Sequence, residues 1–275
     1  MFQKFIYCVP MDCHSERSEE SHCRPTGWRS LAPLGMTQGT VNPVNVRVRE
    51  GAGEEAASDS NTPEHNWRLR CGIALACAAI LFAFLFGGIV LHFWLQLAAS
   101  VLALVAMAFF FEPLEMRRLF RAPPHGRCAL LVYGALSAVV LYGIFAAGKW
   151  AATAVLSQAD RQIGGIYALG RGAPAWAIAG LLLFVVGPGE EIFWRGYVQR
   201  RLAREFGWRG VLLSVLAYGA VHLVSGNPIL ILAALVCGTF WAALFAWRGS
   251  MWINMASHAL WAVAVFVLQP LNGSG

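Results

Sequence analysis

An apolar run from Cys71 to Phe111 constrains the fold of this chain more than any other feature. It is about twice as long as the roughly 20 apolar residues that cross a bilayer as a helix. Gly87-Gly88 and His92 interrupt it, which predicts a helical hairpin with spans near 71–89 and 93–111. Only 13% of the residues are charged, against about 25% in soluble domains. We therefore expect the core to lie in lipid.

Five further apolar segments follow this hairpin. We expect them near 128–148, from Pro174 to the acidic pair Glu190-Glu191, and at 210–225, 228–247 and 251–269. The Gly-rich stretch between the third and fourth spans is expected to be a loop, and a basic amphipathic segment is expected after the fourth span. The predicted fold class is all-α, a polytopic transmembrane helical bundle of about seven spans.

The distribution of cations predicts the orientation of the bundle. Cytoplasmic loops of membrane proteins carry an excess of Lys and Arg. With seven spans and a cytoplasmic N-terminus, the other side carries only Lys149, Arg161 and Arg171. The cytoplasmic set comprises Arg68, Arg70, Arg117, Arg118, Arg121, Arg127, Arg200, Arg201, Arg204, Arg209 and Arg248. Topology thus accounts for the net charge of +6, and no nucleic-acid partner is expected. We expect a multi-pass protein of the bacterial cytoplasmic (inner) membrane.

The N-terminal region differs in composition from the rest of the chain. Residues 1–66 are expected to form a disordered tail, since they are polar and lack a sustained apolar pattern. Residues 1–40 resemble the translation of a repeated bacterial intergenic element, so the true start is expected downstream. Three further units are expected: a two-span hairpin at 67–127, the membrane core at 128–269 and a short tail at 270–275. The seven cysteines show no metal-ligand spacing.

Two adjacent carboxylates, Glu190 and Glu191, follow an apolar run. Acidic residues inside a span are costly and indicate a functional site. Glu191 and Arg195 are four residues apart and can pair, whereas Glu190 lies about 100° round the helix and is free to act as a general base. The preceding Gly187-Pro188-Gly189 is expected to break or start a helix. An ion cluster at a helix end is the alternative interpretation.

Two histidines occur in later spans. Tyr218 and His222 lie one turn apart in the fifth span, and Asn254 and His258 share a face of the seventh. A single histidine in a span usually serves helix packing. Polar side chains in three spans, however, tend to turn inward and meet. His92 lies at the expected hairpin turn and is assigned no role.

These residues resemble the motifs of the CPBP family, the CAAX-prenyl-protease, bacteriocin-processing and Abi-like membrane proteins. Glu190 to Arg195 fits EExxxR, and Tyr218-x-x-x-His222 resembles FxxxH with Tyr in place of Phe. His258-x-x-x-Ala262 resembles HxxxN/B, with Ala where Asn or Asp is usual. The resemblance covers about residues 128–269. It implies a helical bundle that encloses a hydrophilic cavity and hydrolyses a peptide bond at or within the membrane.

The resemblance also implies roles for the residues. Glu190 would activate water with the help of His222, Glu191 would be held by Arg195, and His258 would stabilise the oxyanion. Ala262 removes one polar group near His258, and Asn254, one turn earlier, is a candidate substitute.

Three questions stay open at the level of sequence. Glu190, His222 and His258 could supply three zinc ligands, but no HExxH spacing is present, and a metal-free site without cofactor is favoured. Ala262 leaves open a catalytically silent membrane scaffold or immunity protein. A proton-coupled transporter that uses the same residues as a relay is the second alternative. The expected partners are a membrane protein or peptide substrate and the lipid bilayer.

Overall fold

The computed structural model describes residues 66–88, 92–120, 126–169 and 171–271. The expectations for residues 1–65, including the tail and the start site, lie outside the described residues, as does most of the predicted C-terminal tail. The helices are α1 (Trp67–Gly87), α2 (Phe93–Phe111), α3 (Pro113–Leu119), α4 (Arg127–Val155), α5 (Ala159–Ala168), α6 (Ala175–Phe206), α7 (Trp208–Ala220), α8 (Pro228–Arg248) and α9 (Met251–Leu268).

Seven of these helices are long and apolar enough to cross a membrane, namely α1, α2, α4, α6, α7, α8 and α9. The chain is therefore a multi-pass membrane protein with an all-α fold, and both predictions are confirmed. The predicted basic segment after the fourth span is the C-terminal part of α6, which continues to Phe206.

The loop predicted between the third and fourth spans is wrong for residues 159–168, which form helix α5. Its Ala159 and Ile163 are buried against the bundle. The backbone carbonyl oxygen of Gln162 in α5 accepts a hydrogen bond from Asn227 Nδ2 at 2.9 Å. Burial of one apolar face thus holds this short helix despite its two glycines.

The Gly187-Pro188-Gly189 segment neither breaks nor starts a helix, so that prediction is also wrong. Helix α6 passes through it with helical backbone angles, and its turns widen to π-helical bonding over 182–186 and 192–199. The Gly187 N–H bonds to the carbonyl of Leu182, five residues earlier. A widened turn before the proline relieves the clash that would otherwise kink the helix. The Glu pair consequently lies in the middle of a long helix, between two π-helical segments.

Ion pairs gather several helix ends on one side of the bundle. Arg68 at the start of α1 pairs with Glu205 near the end of α6, at 2.6 Å. Glu112 lies just before α3 and Glu115 lies within it, and both form ion pairs with arginines of α6. Arg200 pairs with both carboxylates, Arg201 pairs with Glu112, and Arg204 pairs with Glu115. We call this side the arginine end. At the opposite, α5 end, His92 Nε2 lies 2.9 Å from the Arg171 carbonyl oxygen.

Glycines let α9 pack closely between α4 and α6. A Cβ on Gly187 of α6 would lie 2.8 Å from the Cα of Ala259, and a Cβ on Gly134 of α4 would lie 2.6 Å from the Cβ of Ala256. Small residues at helix contacts permit this approach of backbones in membranes. The approach brings His258 and Asn254 of α9 within reach of the α6 carboxylates.

Candidate active site

The carboxylate of Glu191 is the centre of a buried polar cluster. Its side chain is fully buried. Oε1 accepts hydrogen bonds from Arg195 Nη1 at 3.1 Å and from His258 Nδ1 at 2.9 Å. Oε2 accepts one from Asn254 Nδ2 at 3.0 Å. The predicted pairing of Glu191 with Arg195 is confirmed, and the carboxylate in addition ties α6 to α9.

The Arg195 guanidinium is buried as well, and several groups compensate its charge. Nη2 donates to the Gly238 carbonyl of α8 at 3.2 Å. The guanidinium carbon lies 4.9 Å from the centre of the Tyr218 ring and 5.6 Å from that of Trp241. A buried cation requires such an ion pair and hydrogen bonds, and the aromatic faces add a favourable electrostatic contact.

His258 is fixed on two sides. Its ring stacks on Trp241 of α8 with centroids 3.7 Å apart and planes 16° apart. Its Nδ1 contacts Glu191, so Nε2 is the nitrogen left for other partners. Trp241 was not predicted as a site residue, because an aromatic residue in an apolar span gives no polar signal in the sequence.

Tyr218 organises the second half of the site. Its hydroxyl donates to Glu190 Oε2 at 2.8 Å, and its backbone carbonyl lies 2.8 Å from His222 Nδ1. That carbonyl is available because α7 ends at Ala220 and the His222 N–H bonds instead to Gly219 at 3.1 Å. The last carbonyls of a helix need partners outside the helical ladder, and here the His222 ring is such a partner. Glu190 and His222 thus share one positioning residue.

Three of the five predicted catalytic side chains line a single cavity of about 260 Å³, whereas Glu191 and Arg195 do not line it. Glu190, His222 and His258 all face it, and each is less than 9% exposed. Tyr218, Trp241 and Ala262 also line it, together with apolar side chains of α1, α2, α5 and α6. A carboxylate and two imidazoles from three distant segments of the chain therefore line the same cavity.

Residues 172–264 match the family model described as Rce1-like, type II CAAX prenyl endopeptidase. The resemblance to CPBP-type membrane proteases is confirmed over this segment. No curated protein and no solved structure matches the chain. The matched segment contains every residue of the motifs found in the sequence, from Glu190 to Ala262.

The structure separates the two candidates for the polar group near His258. Ala262 lines the cavity one turn after His258. Asn254 does not line it, and donates instead to Glu191 and, at 2.9 Å, to the Trp241 carbonyl. Asn254 therefore supports the Glu191 carboxylate and does not replace the cavity-facing group that Ala262 lacks.

The residues present do not form a typical metal site. In the part of the chain that the structure describes, no three His, Cys, Asp or Glu side chains are grouped so as to hold a metal ion. The Nδ1 atoms of both histidines already contact protein oxygens. The zinc alternative stays a prediction.

Proposed function

We propose that this chain is an integral membrane endopeptidase that hydrolyses a peptide bond at or within the bilayer. The observation that supports the proposal is a shared cavity lined by the Glu190 carboxylate and by the imidazoles of His222 and His258. A buried carboxylate with a free oxygen beside a histidine is suited to general-base catalysis on water.

Glu190 activates the water. Tyr218 occupies Oε2, and Oε1 accepts a proton from a water molecule in the cavity. His222 donates Nδ1–H to the Tyr218 carbonyl, so its Nε2 carries a lone pair that accepts the second hydrogen bond of that water. The water oxygen then attacks the carbonyl carbon of the scissile amide, and the carbonyl electron pair moves onto its oxygen.

His258 stabilises the oxyanion that forms. Because Nδ1–H is donated to Glu191, stabilisation of the oxyanion requires the doubly protonated ring, in which Nε2 also carries a hydrogen. Nε2–H then donates to the oxyanion; one such donor typically contributes about 2.7–4 kcal/mol to catalysis. The protonated Glu190 gives its proton to the amide nitrogen, the oxyanion electron pair re-forms the carbonyl as the C–N bond breaks, and a carboxylic acid and an amine are released.

The membrane orientation follows from the cations. We assign the arginine end to the cytoplasm of a bacterium, with the protein in the inner membrane and its N-terminus cytoplasmic. The substrate is a membrane protein or peptide, since the cavity lies among the spans.

Ala262 favours one second candidate, a catalytically silent relative that binds a peptide in the same cavity. The usual polar group is missing next to His258, while the remaining constellation is complete. A cell that carries the Glu190→Gln variant of such a scaffold or immunity protein would show the same phenotype as a cell that carries the wild type.

Purified Glu190→Gln is the decisive variant. The wild-type protein in detergent is incubated with the solubilised membrane proteome of a bacterial host, and new peptide termini are identified by terminal labelling and mass spectrometry. We expect termini that Glu190→Gln does not produce. Glu205→Gln, which changes a partly exposed carboxylate at the arginine end, should produce them all. Identical termini from wild type and Glu190→Gln would refute the endopeptidase and leave the silent relative.

A further inference from the structure

The catalytic cavity runs toward the α5 end of the bundle. Its deep wall carries Glu190 and His258, and its outer lining includes Leu169 and Arg171. Glu190 is buried, whereas Leu169 and Arg171 are exposed. The lining thus passes from the middle of the bundle to the surface that bears α5.

The opposite direction is closed by the buried polar cluster. Glu191, Arg195 and Asn254 are almost fully buried on the arginine-end side of Glu190. One further turn along α6, Gln199 is also buried and donates to the Ala242 carbonyl of α8 at 3.0 Å. Beyond it stand the ion pairs of Arg200 and Arg201 with Glu112. A peptide has no open route to Glu190 through these layers.

The two ends differ sharply in cations. The arginine end carries Arg68, Arg70, Arg117, Arg118, Arg200, Arg201 and Arg204, whereas Lys149, Arg161 and Arg171 lie at the α5 end. Membrane proteins retain Lys and Arg on the cytoplasmic side. The mouth of the cavity therefore lies on the side that the positive-inside rule assigns away from the cytoplasm.

We propose that the active site is open to the non-cytoplasmic side and takes membrane-proximal segments of exported or membrane-anchored polypeptides. This inference rests on the proposed function for its substrate, whereas the side on which the cavity opens rests on the lining residues and on the distribution of cations. It excludes as substrates those tails that remain on the cytoplasmic side. An apolar lining of α1, α2 and α6 side chains around the carboxylate suits an extended apolar segment.

Cysteine labelling in intact cells tests the orientation without any need for activity. The seven native cysteines are replaced by alanine, and Arg171→Cys or Glu205→Cys is introduced into that background. Spheroplasts of a bacterial host are treated with a membrane-impermeant maleimide before and after permeabilisation. We expect Arg171→Cys to react equally in both states and Glu205→Cys to react only after permeabilisation. The reverse pattern would overturn the proposal.

A second arm tests access of substrate. An impermeant, internally quenched peptide, based on a sequence cleaved in the terminal-labelling experiment, is added to spheroplasts and to inside-out vesicles. We expect cleavage in spheroplasts, its absence in vesicles, and none in either preparation with Glu190→Gln. Cleavage confined to vesicles would overturn the orientation. A lack of cleavage by purified wild type would refute the endopeptidase itself, while the labelling result would still decide where the cavity opens.

Discussion

Glu191 Oε1 and His258 Nδ1 lie 2.9 Å apart, although 67 positions separate the two residues in the chain. This contact joins α6 to α9 through a carboxylate that Arg195 already neutralises. It fixes which nitrogen of His258 contacts Glu191 and leaves the other for the substrate. Glu190, the neighbouring carboxylate, makes a separate contact with Tyr218. The two adjacent acids therefore have different duties, one in support of an imidazole and the other in proton transfer.

Neutralising Glu191 should destabilise the bundle. Glu191→Gln leaves the buried Arg195 guanidinium without its counter-charge, and breaking a buried pair in this way costs about 3–5 kcal/mol. Glu205→Gln removes an exposed pair with Arg68, which is worth about 0–1 kcal/mol. Unfolding in mixed micelles with increasing denaturing detergent compares both with wild type. Equal losses in the two variants would contradict a structural role for Glu191.

The close approach of α6 and α9 should depend on Gly187. In Gly187→Ala the new Cβ meets the Ala259 backbone at 2.8 Å, and such overpacking costs about 1–3 kcal/mol. We expect peptide cleavage to fall too, because His258 moves with α9. Gly180→Ala is the matched control on the same helix, since nothing lies within 4 Å of its added Cβ, and it should be neutral or stabilising by about 0.5–1 kcal/mol. Equal thermal stability of both variants would show that the contact is not tight.

Tyr218 should act on turnover more than on substrate binding. Tyr218→Phe removes the hydroxyl that holds Glu190, and loss of a hydrogen bond to a charged group corresponds to a fall in kcat of about 10- to 100-fold. KM should change little. Tyr197→Phe removes a hydroxyl from an equally buried tyrosine that does not line the cavity, and should retain kcat.

A cycle with Glu190→Asp separates positioning from a general structural effect. The shorter Asp side chain withdraws the carboxylate from Tyr218, so Tyr218→Phe should cost less in that background than in wild type. Kinetics of the quenched peptide with wild type, the two single variants and the double variant provide the comparison. Additive losses would indicate that Tyr218 acts independently of Glu190.

Restoring a polar group at position 262 should raise activity. Ala262 lines the cavity one turn after His258, and Ala262→Asn adds an N–H donor there, worth up to about 100-fold in kcat when it reaches the oxyanion. Ala262→Leu adds a similar volume without a donor and should lower kcat by filling the cavity. A gain with Leu, or a loss with both, would contradict a role for polarity at this position.

Acid should weaken the arginine end through Glu115. Burial raises the pKa of the Glu115 carboxyl. The hydrogen bond and charge of Arg204, together with the charges of Arg200 and Arg118, outweigh burial, so the pKa is lowered overall. The stabilisation is complete above the ordinary glutamate pKa and is lost as pH falls through the lowered value. Unfolding measured from neutral pH into the acid range should show a smaller decline in Glu115→Gln than in wild type. An identical decline would show that Glu115 contributes nothing to acid sensitivity.

Composition and local spacing were enough to predict much of this protein. Long apolar runs have few alternatives to spanning helices, because backbone polar groups in lipid must bond within the segment. The spacing of Glu191 and Arg195 by four residues predicted their pair for the same local reason. Helix α5 was missed because glycines obscure a short amphipathic pattern, and the continuity of α6 was missed because a π-helical turn absorbs a proline that would break an ordinary helix.

The sequence by itself determined the number of spans, the acidic pair and the family motifs, since each depends on residues that are neighbours along the chain. Only the tertiary structure decided that Tyr218 holds Glu190, that Trp241 supports His258, that Ala262 and not Asn254 faces the cavity, and that the cavity runs to the α5 end. These relationships depend on how α6 to α9 pack, and that packing is set by close backbone contacts at glycines such as Gly187, which carry no polar signal along the chain.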